Sequence, residues 1–132
     1  MAPDAQTNAF KRALASADLV LDCIFGFSFH PPTRAPFDVV LAALDATEVP
    51  ILSVDIPSGW DVERGNVHGG FTPNAVVSLT APKVGVSEFA EAGGAHWLGG
   101  RFISGQMDLK YGLNLPQYAG TSQCVDITIR KD

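Results

Sequence analysis

Apolar residues recur along the chain with two spacings, one typical of amphipathic helices and one typical of buried strands. The first helical spacing predicts a helix over residues 7–17 and falls on Phe10, Ala13, Leu14 and Ala17. Either Asp4 or Thr7 is the expected N-cap of this helix. The same spacing recurs after Pro36, which suits the first turn of a helix, and falls on Phe37, Val40, Leu41 and Leu44.

Short apolar runs outside these helices predict strands, which span residues 19–25, 51–56, 75–80, 96–103 and 125–129. The first two runs are nearly continuous, as in strands that are covered on both faces of a parallel sheet. Gly99 and Gly100 interrupt the fourth run, and the last run alternates apolar with polar residues, which indicates an edge strand. A short helix is predicted over residues 88–92, and a long loop over residues 59–73.

The order of these elements predicts the fold class. A strand, a helix and a strand follow one another between residues 19 and 56, which is the order of a βαβ unit with parallel strands. We therefore predict an α/β fold, a Rossmann-like three-layer sandwich with a mostly parallel sheet. In such folds, ligands bind outside the carboxyl ends of the strands.

Composition narrows the class of protein further. At 132 residues with 46% hydrophobic residues, the chain suits a single domain with a core, and its formal net charge of −5 argues against nucleic-acid binding. Cys23 and Cys124 do not form a dense disulfide framework, so we expect free thiols, with Cys23 buried in its apolar run. No apolar run has the roughly 18 residues of a membrane span. We therefore expect a soluble, cytoplasmic protein.

Two carboxylates stand near the carboxyl ends of the first two predicted strands. Asp22 interrupts the first run, and Asp55 lies near the end of the second, just before the turn Pro57-Ser58-Gly59. Burying an ionised carboxylate costs several kcal/mol unless a charged or hydrogen-bonding group receives it. We expect both side chains to face one crevice. Alternatively, Asp22 caps a turn or pairs with Arg34 or Lys83, Asp55 bonds its own loop, and Ser58 is an ordinary turn residue.

Several stretches resemble one protein family, the NAD(P)HX epimerases with the YjeF N-terminal type of domain. The stretches are Leu21-Asp22-Cys23-Ile24-Phe25-Gly26-Phe27-Ser28-Phe29, Arg34-Ala35-Pro36-Phe37, Ser53-Val54-Asp55-Ile56-Pro57-Ser58-Gly59-Trp60-Asp61-Val62, Leu79-Thr80-Ala81-Pro82-Lys83, Leu98-Gly99-Gly100-Arg101-Phe102 and Tyr111-Gly112-Leu113-Asn114-Leu115-Pro116. Asp-Ile-Pro-Ser-Gly together with the Asp22 stretch is quite specific, whereas either alone is a weak signal. The similarity runs from about Asp18 to Val125.

The resemblance implies an isomerase that interconverts the R and S epimers of hydrated NADH or NADPH. It implies a potassium ion held in part by Asp22 and Ser58, whose oxygen atoms suit a hard cation. It implies substrate contacts from Asp55 and from a loop consisting of Gly26, Phe27, Ser28, Phe29, His30, Pro31 and Pro32. Asp55 is then a candidate general acid or base, or an orienting acceptor. In this loop, His30-Pro31-Pro32 departs from the Lys/Ser-Gly-acidic run that is common in the family.

Family members also carry an upstream half whose Asn/Gly/Asp-rich loop supplies another potassium ligand and further substrate contacts. The sequence before Asp18 holds no such motif. We therefore interpret residues 1–132 as the carboxyl-terminal part of the domain, lacking its N-terminal elements, and do not expect this part to be active alone. A homodimer is compatible with the family, as is a mitochondrial location for a longer parent protein. The alternative function is a non-catalytic scaffold or binding module with the same domain type.

Other side chains are expected to be structural. His30, His68 and His96 are too far apart to suggest a zinc site, and we expect each at the surface or in a loop. Trp60 and Trp97 are expected in packing, and Lys83 as a plain surface charge. Phe27 and Phe29 either stack on a ligand ring or close the core beneath their loop.

Overall fold

The computed structural model of the chain describes residues 5–130 as one five-stranded sheet with helices. The elements in chain order are α1 (Ala5–Ala15), β1 (Val20–Asp22), α2 (Phe37–Asp45), β2 (Ile51–Val54), β3 (Ala75–Leu79), α3 (Ser87–Glu91), β4 (Ala95–Gly99), α4 (Gly105–Tyr111) and β5 (Cys124–Asp126). A 3₁₀ turn over Val84–Val86 leads directly into α3. Of the two N-cap candidates, Thr7 lies inside α1, and Asp4 lies outside the described residues.

The strands lie in the sheet in their chain order, from β1 to β5. The first four are parallel to their neighbours, and β5 pairs antiparallel with β4 at the sheet edge. This arrangement confirms the α/β class, the parallel βαβ unit and the edge strand. In the register of the sheet, Asp22 of β1 lies beside Ser53 of β2, and Ser53 lies beside Val76 of β3.

Helices α1, α2 and α3 pack on one face of the sheet. One buried cluster joins Leu14 of α1 and Leu44 of α2 to Ile51 of β2. A second cluster joins Val76 of β3 to Val86, and Phe89 of α3 packs against it. Ile51, Val76 and their neighbours in register project to the same side of the sheet. This face therefore holds the core of the described chain.

The opposite face of the sheet reaches solvent. Leu19 and Leu21 are 52% and 61% exposed, whereas Val20 between them packs into the core. Val54 of β2 and Trp97 of β4 lie on this second face and are half-buried. The prediction that β1 is covered on both faces is therefore wrong for the described chain. Residues 5–130 form two of the three layers expected for a Rossmann-like sandwich, one of helices and one of sheet.

We expect this solvent-facing apolar surface to make the chain self-associate and bind hydrophobic dyes, because exposed apolar patches of this kind are unfavourable in water. Leu21→Glu should lower both dye fluorescence and the mass found by light scattering, whereas Leu109→Glu, on a side chain that is 88% exposed on α4, should leave both unchanged. A monodisperse wild-type chain of 14.0 kDa that binds no dye would contradict this expectation.

Local hydrogen bonds set the ends of two strands earlier than the apolar runs predict. β1 ends at Asp22, whose Oδ1 accepts the Ile24 N–H at 3.4 Å and so competes with the sheet ladder. β4 ends at Gly99, since Gly100 has a φ of 79° and donates its N–H to the Gln123 carbonyl at 2.7 Å. The apolar runs therefore overestimate both strands.

The long loop over residues 59–73 is confirmed, and two side chains fix its conformation. Trp60 is buried and donates its Nε1–H to the Phe71 carbonyl at 3.0 Å, which confirms its packing role. Asp61 accepts the N–H groups of Glu63 and Arg64 at 3.0 and 2.8 Å. These bonds, with the Arg64 guanidinium, lower the pKa of Asp61 to about 2. The loop that follows Ser58 is thus anchored at its start.

Candidate functional site

Asp22 is buried and is fully engaged by the turn that follows β2. Its Oδ2 accepts the Ser53 hydroxyl at 2.7 Å and the Ser58 N–H at 2.8 Å. Its Oδ1 accepts the Ser58 hydroxyl at 2.5 Å. The Ser58 oxygen in turn accepts the Phe25 N–H at 3.0 Å, so Asp22 and Ser58 together fix the segment after β1. Arg34 and Lys83, the alternative ion-pair partners considered from the sequence, do not contact Asp22. The two candidate potassium ligands, Asp22 and Ser58, lie in direct contact with each other.

Asp55 lies one residue beyond β2 in an unusual backbone conformation, with a φ of 76°. Few residues other than glycine adopt this left-handed region, although aspartate and asparagine do so more readily than most. Its Oδ2 accepts the Phe27 N–H at 2.8 Å, and its Oδ1 accepts the Lys83 ammonium group. Such strain, when it is held by specific contacts, is common at functional sites.

Gly26 lies close to the Asp55 carboxylate. A Cβ atom at position 26 would lie 3.0 Å from Asp55 Oδ2, which is tighter than ordinary van der Waals contact. Glycine therefore lets the loop after β1 pass beside the carboxylate so that the next N–H, from Phe27, can reach it.

A cavity of about 620 Å³ opens beside Asp55. It is lined by Phe27, Asp55, Leu79, Thr80, Ala81, Pro82, Lys83 and Phe102. Thr80 follows β3 with a φ of 68°, which is a strained value for a β-branched residue. Two strained residues, Asp55 and Thr80, thus follow adjacent strands and border the same cavity at the edge where α/β sheets bind ligands.

The two carboxylates are connected but differ in exposure. Ile24 N–H bonds Asp22, and Phe27 N–H bonds Asp55, so the ends of one short segment hold both side chains. Asp22 is 1% exposed and lies beneath the segment, whereas Asp55 borders the cavity. Asp55 therefore faces a cavity and Asp22 does not, so the prediction that the two share one crevice is wrong.

The loop predicted to contact substrate divides between two cavities. Phe27 is 68% exposed and borders the Asp55 cavity. His30, Pro31 and Pro32 line a separate cavity of about 470 Å³. Phe29 also lines this second cavity and stacks on Phe25 with ring centroids 4.3 Å apart, and Ser28 between the two aromatic residues is exposed. Phe29 therefore packs within its own loop, whereas the Phe27 ring is exposed and available to a ligand.

Six cavity residues were not predicted as part of the site: Leu79, Thr80, Ala81, Pro82, Lys83 and Phe102. The expectation that Lys83 is a plain surface charge is wrong, because its side chain is 15% exposed and pairs with Asp55. One signal could have found it. Ala81-Pro82-Lys83 follows β3 as Ile56-Pro57-Ser58 follows β2, and the carboxyl ends of adjacent parallel strands lie at one edge of the sheet.

Two further expectations are corrected by burial. His96 is 3% exposed, and its Nε2 lies 2.8 Å from the Ser78 hydroxyl, so it is neither a surface nor a loop residue. Cys23 is exposed rather than buried, because it follows the end of β1. Cys23 and Cys124 are both free thiols, as expected.

We expect His96 to make stability depend on pH. Burial lowers the pKa of His96 below its usual 6.5, so the unfolded chain binds the proton more readily. The free energy of unfolding should therefore fall as pH drops below 6.5, down to the pKa of the folded state. Urea unfolding from pH 7.5 to 5 should show this fall in the wild type and in His68→Gln, an exposed control, but less in His96→Gln. Parallel curves for all three would contradict it.

The part of the chain that the structure describes has neither a cluster of metal-binding side chains nor a membrane-spanning helix. No group of three or more His, Cys, Asp and Glu side chains within residues 5–130 is placed to hold a metal ion. None of the helices in that range combines the length and the apolar character needed to cross a membrane.

Comparison with known proteins gives consistent matches. The sequence profile described as "YjeF-related protein N-terminus" matches residues 1–85. An NAD(P)H-hydrate epimerase of Puccinia graminis f. sp. tritici is 54% identical over 120 residues, which cover 90% of this chain and 49% of that protein. One of Paramecium tetraurelia is 48% identical over 115 residues, covering 87% of this chain and 48% of that protein.

A solved structure matches in fold as well as in sequence. The crystal structure of the yeast protein YNL200c superposes with a TM-score of 0.81 and 36% identity, covering 93% of this chain and 51% of the yeast chain. The chain thus spans about half the length of the curated relatives and of the solved structure that it matches.

Proposed function

Because this chain belongs to the family of YjeF-related protein N-termini, we propose that it carries part of the active site of an NAD(P)H-hydrate epimerase. The enzyme would interconvert the R and S epimers of hydrated NADH and NADPH, a reaction that prepares damaged nicotinamide cofactors for repair. The single observation that carries the proposal is the Asp55 carboxylate, held in a strained conformation at the edge of a 620 Å³ cavity.

The chemistry of epimerisation suits this site. Inverting a hydroxylated carbon beside a ring nitrogen requires its C–O bond to break and to form again on the other face of the ring. The ring nitrogen can support the positive charge that develops when hydroxide leaves with the help of a proton donor. Asp55 lies where it can accept a proton or orient the group that supplies one, and the walls of the cavity are mostly apolar.

The substrate loop, Gly26 to Pro32, would contact a dinucleotide at two places. Phe27 offers an exposed aromatic face beside Asp55, suited to a nicotinamide-derived ring. His30, Pro31 and Pro32 border the second cavity, about 470 Å³ in volume, which could receive another part of the dinucleotide. Because one loop connects both cavities, an extended ligand lying along it would reach each of them.

Asp22 and Ser58 fit a potassium ion by their chemistry. They supply three hard oxygen atoms in one cluster, and a hard cation prefers such ligands. The remaining ligands would have to come from backbone carbonyl groups or from another segment. A bound potassium ion would supply a fixed positive charge beside the segment that carries Phe25 and Phe27. Asp22 also accepts hydrogen bonds from Ser53 and Ser58.

A second candidate function is favoured by the solvent-facing side of the sheet. Leu19 and Leu21 would support pairing with another copy of the chain or with a partner protein, as in a non-catalytic scaffold or a homodimer. A scaffold does not require the Asp55 cavity, so an assay of epimer exchange distinguishes the scaffold function from the epimerase function.

The test is the exchange of purified NADHX epimers, followed by chromatography in potassium buffer and in sodium buffer. It uses this chain and a chimera in which the chain replaces the matched segment of the Puccinia graminis relative. We expect exchange by the chimera and faster exchange with potassium. An active relative and an inactive, folded chimera would contradict the proposal for this chain.

A further inference from the structure

Lys83 is largely buried, unlike a typical surface lysine. It follows the β3 end and the residues Ala81 and Pro82, and its side chain is 15% exposed. Its Nζ donates to Asp55 Oδ1 and to the Leu79 carbonyl, the latter at 2.7 Å. Asp55 and Leu79 both line the cavity, so these two hydrogen bonds hold the ammonium group at the cavity wall.

Asp55 and Lys83 differ in the hydrogen-bonding capacity that each has left for a ligand. An ionised carboxylate is an acceptor, and Asp55 accepts at both oxygens, from Phe27 N–H and from Lys83. An ammonium group has three N–H donors, and Asp55 and Leu79 receive two of them. One N–H of Lys83 remains, and Lys83 lines the 620 Å³ cavity. The donor of this pair is thus the lysine.

We propose that Lys83 is the proton donor of the site and that Asp55 is the positioning residue that holds it. This inference rests on the proposed epimerase function. Lys83 gives its proton to the hydroxyl group of the hydrated ring, the C–O bond breaks, water leaves, and the ring nitrogen lone pair forms the C=N bond of a cationic ring. Water then adds to the opposite face, and its extra proton returns to the neutral Lys83 amine. No oxidant or reductant is consumed, and lysine ends as it began.

Three substitutions separate proton donation from simple positioning. Lys83→Ala removes the amine, Lys83→Met keeps most of the side-chain volume, and Lys83→Arg keeps the positive charge beside Asp55 but does not readily release a proton. We expect each to lower kcat for epimer exchange by about 10²- to 10⁴-fold, the usual contribution of a general acid, with a smaller change in KM. Lys11→Ala, at an exposed position on α1, should match the wild type.

Rescue by added amines gives a readout that a structural role would not move. Small primary amines can enter the space that Lys83→Ala leaves in the cavity, and the rescued rate should vary with the basicity of the amine, as expected for proton transfer in the transition state. Thermal unfolding of each variant checks the fold. If Lys83→Ala does not fold, Lys83→Met and Lys83→Arg still test the proposal.

The possible results test the role of Lys83 separately from the proposed epimerase function. If the wild-type chimera exchanges epimers and the chimera with Lys83→Met does so equally fast, Lys83 is not the donor, although the epimerase function stands. Full activity of Lys83→Arg would likewise overturn proton donation. If the wild-type chimera folds but exchanges nothing, the proposed function itself fails, and the role of Lys83 fails with it.

Discussion

Replacing Asp22 by alanine is expected to lower the free energy of unfolding by about 3 kcal/mol or more, because three buried hydrogen-bond donors lose their shared acceptor. Asp22 accepts hydrogen bonds from the hydroxyl groups of Ser53 and Ser58 and from the Ser58 N–H, at distances of 2.5–2.8 Å. Without the carboxylate, these buried donors lose their acceptor, and each unsatisfied group costs about 1–3 kcal/mol. The effect should therefore exceed that of deleting any one donor.

Urea unfolding of matched variants measures this effect. Asp45→Ala, at an exposed position at the end of α2, should change the free energy of unfolding by less than about 0.5 kcal/mol. Ser53→Ala removes one donor and should cost about 1 kcal/mol. If Asp22→Ala prevents folding altogether, Ser53→Ala and Asp22→Asn still order the contributions. An Asp22→Ala chain as stable as Asp45→Ala would show that the network adds nothing.

Asp55→Asn is expected to lower kcat/KM for epimer exchange by about 10²- to 10⁴-fold, because the substitution removes the charge that holds the Lys83 ammonium group. Asparagine is the appropriate replacement, since it keeps the shape of the side chain and tolerates the φ of 76° at this position. Alanine would combine the loss of charge with backbone strain of about 1–2 kcal/mol.

The assay is the chromatographic exchange of NADHX epimers by the chimera, with the thermal unfolding temperature as a check on folding. Glu48→Gln removes one negative charge from an exposed position beyond α2 and should leave the rate unchanged. Equal rates for Asp55→Asn and Glu48→Gln would remove Asp55 from the mechanism.

The parallel arrangement of the first strands could be predicted from the order of the elements, and the meeting of Asp22 with Ser58 was implied by the family resemblance. A βαβ unit places the ends of its two strands at one edge of the sheet, which brings residues 36 positions apart together. The proximity of the Gly26 loop to Asp55 follows from the same rule.

Other contacts depend on geometry that the local sequence does not show. Lys83 contacts Asp55, and Thr80, which precedes it after β3, adopts a positive φ that no propensity of threonine indicates. The burial of His96 depends on Ser78 in the neighbouring strand. The exposure of Leu21 depends on which elements cover the second face of the sheet, and an apolar run is the same whether or not a cover is present.

Helix α4 was missed for a different reason. Its seven residues bury no side chain, so the apolar spacing that identifies longer helices has nothing to detect. Its ends carry the usual signals, since the Ser104 hydroxyl accepts the Met107 N–H and Gly112 ends the helix in the left-handed conformation. Capping residues would have predicted this helix where periodicity could not.

The most direct measurement is a titration of the ¹⁵N-labelled chimera with NADHX, followed by amide chemical shifts. We predict saturable shifts at residues that border the 620 Å³ cavity, namely Phe27, Asp55, Thr80, Ala81 and Lys83, and unchanged shifts at Leu109 on α4. Absence of saturable shifts, or shifts confined to Leu21 and Trp97 on the solvent-facing side of the sheet, would show that the Asp55 cavity is not where the hydrated nicotinamide binds.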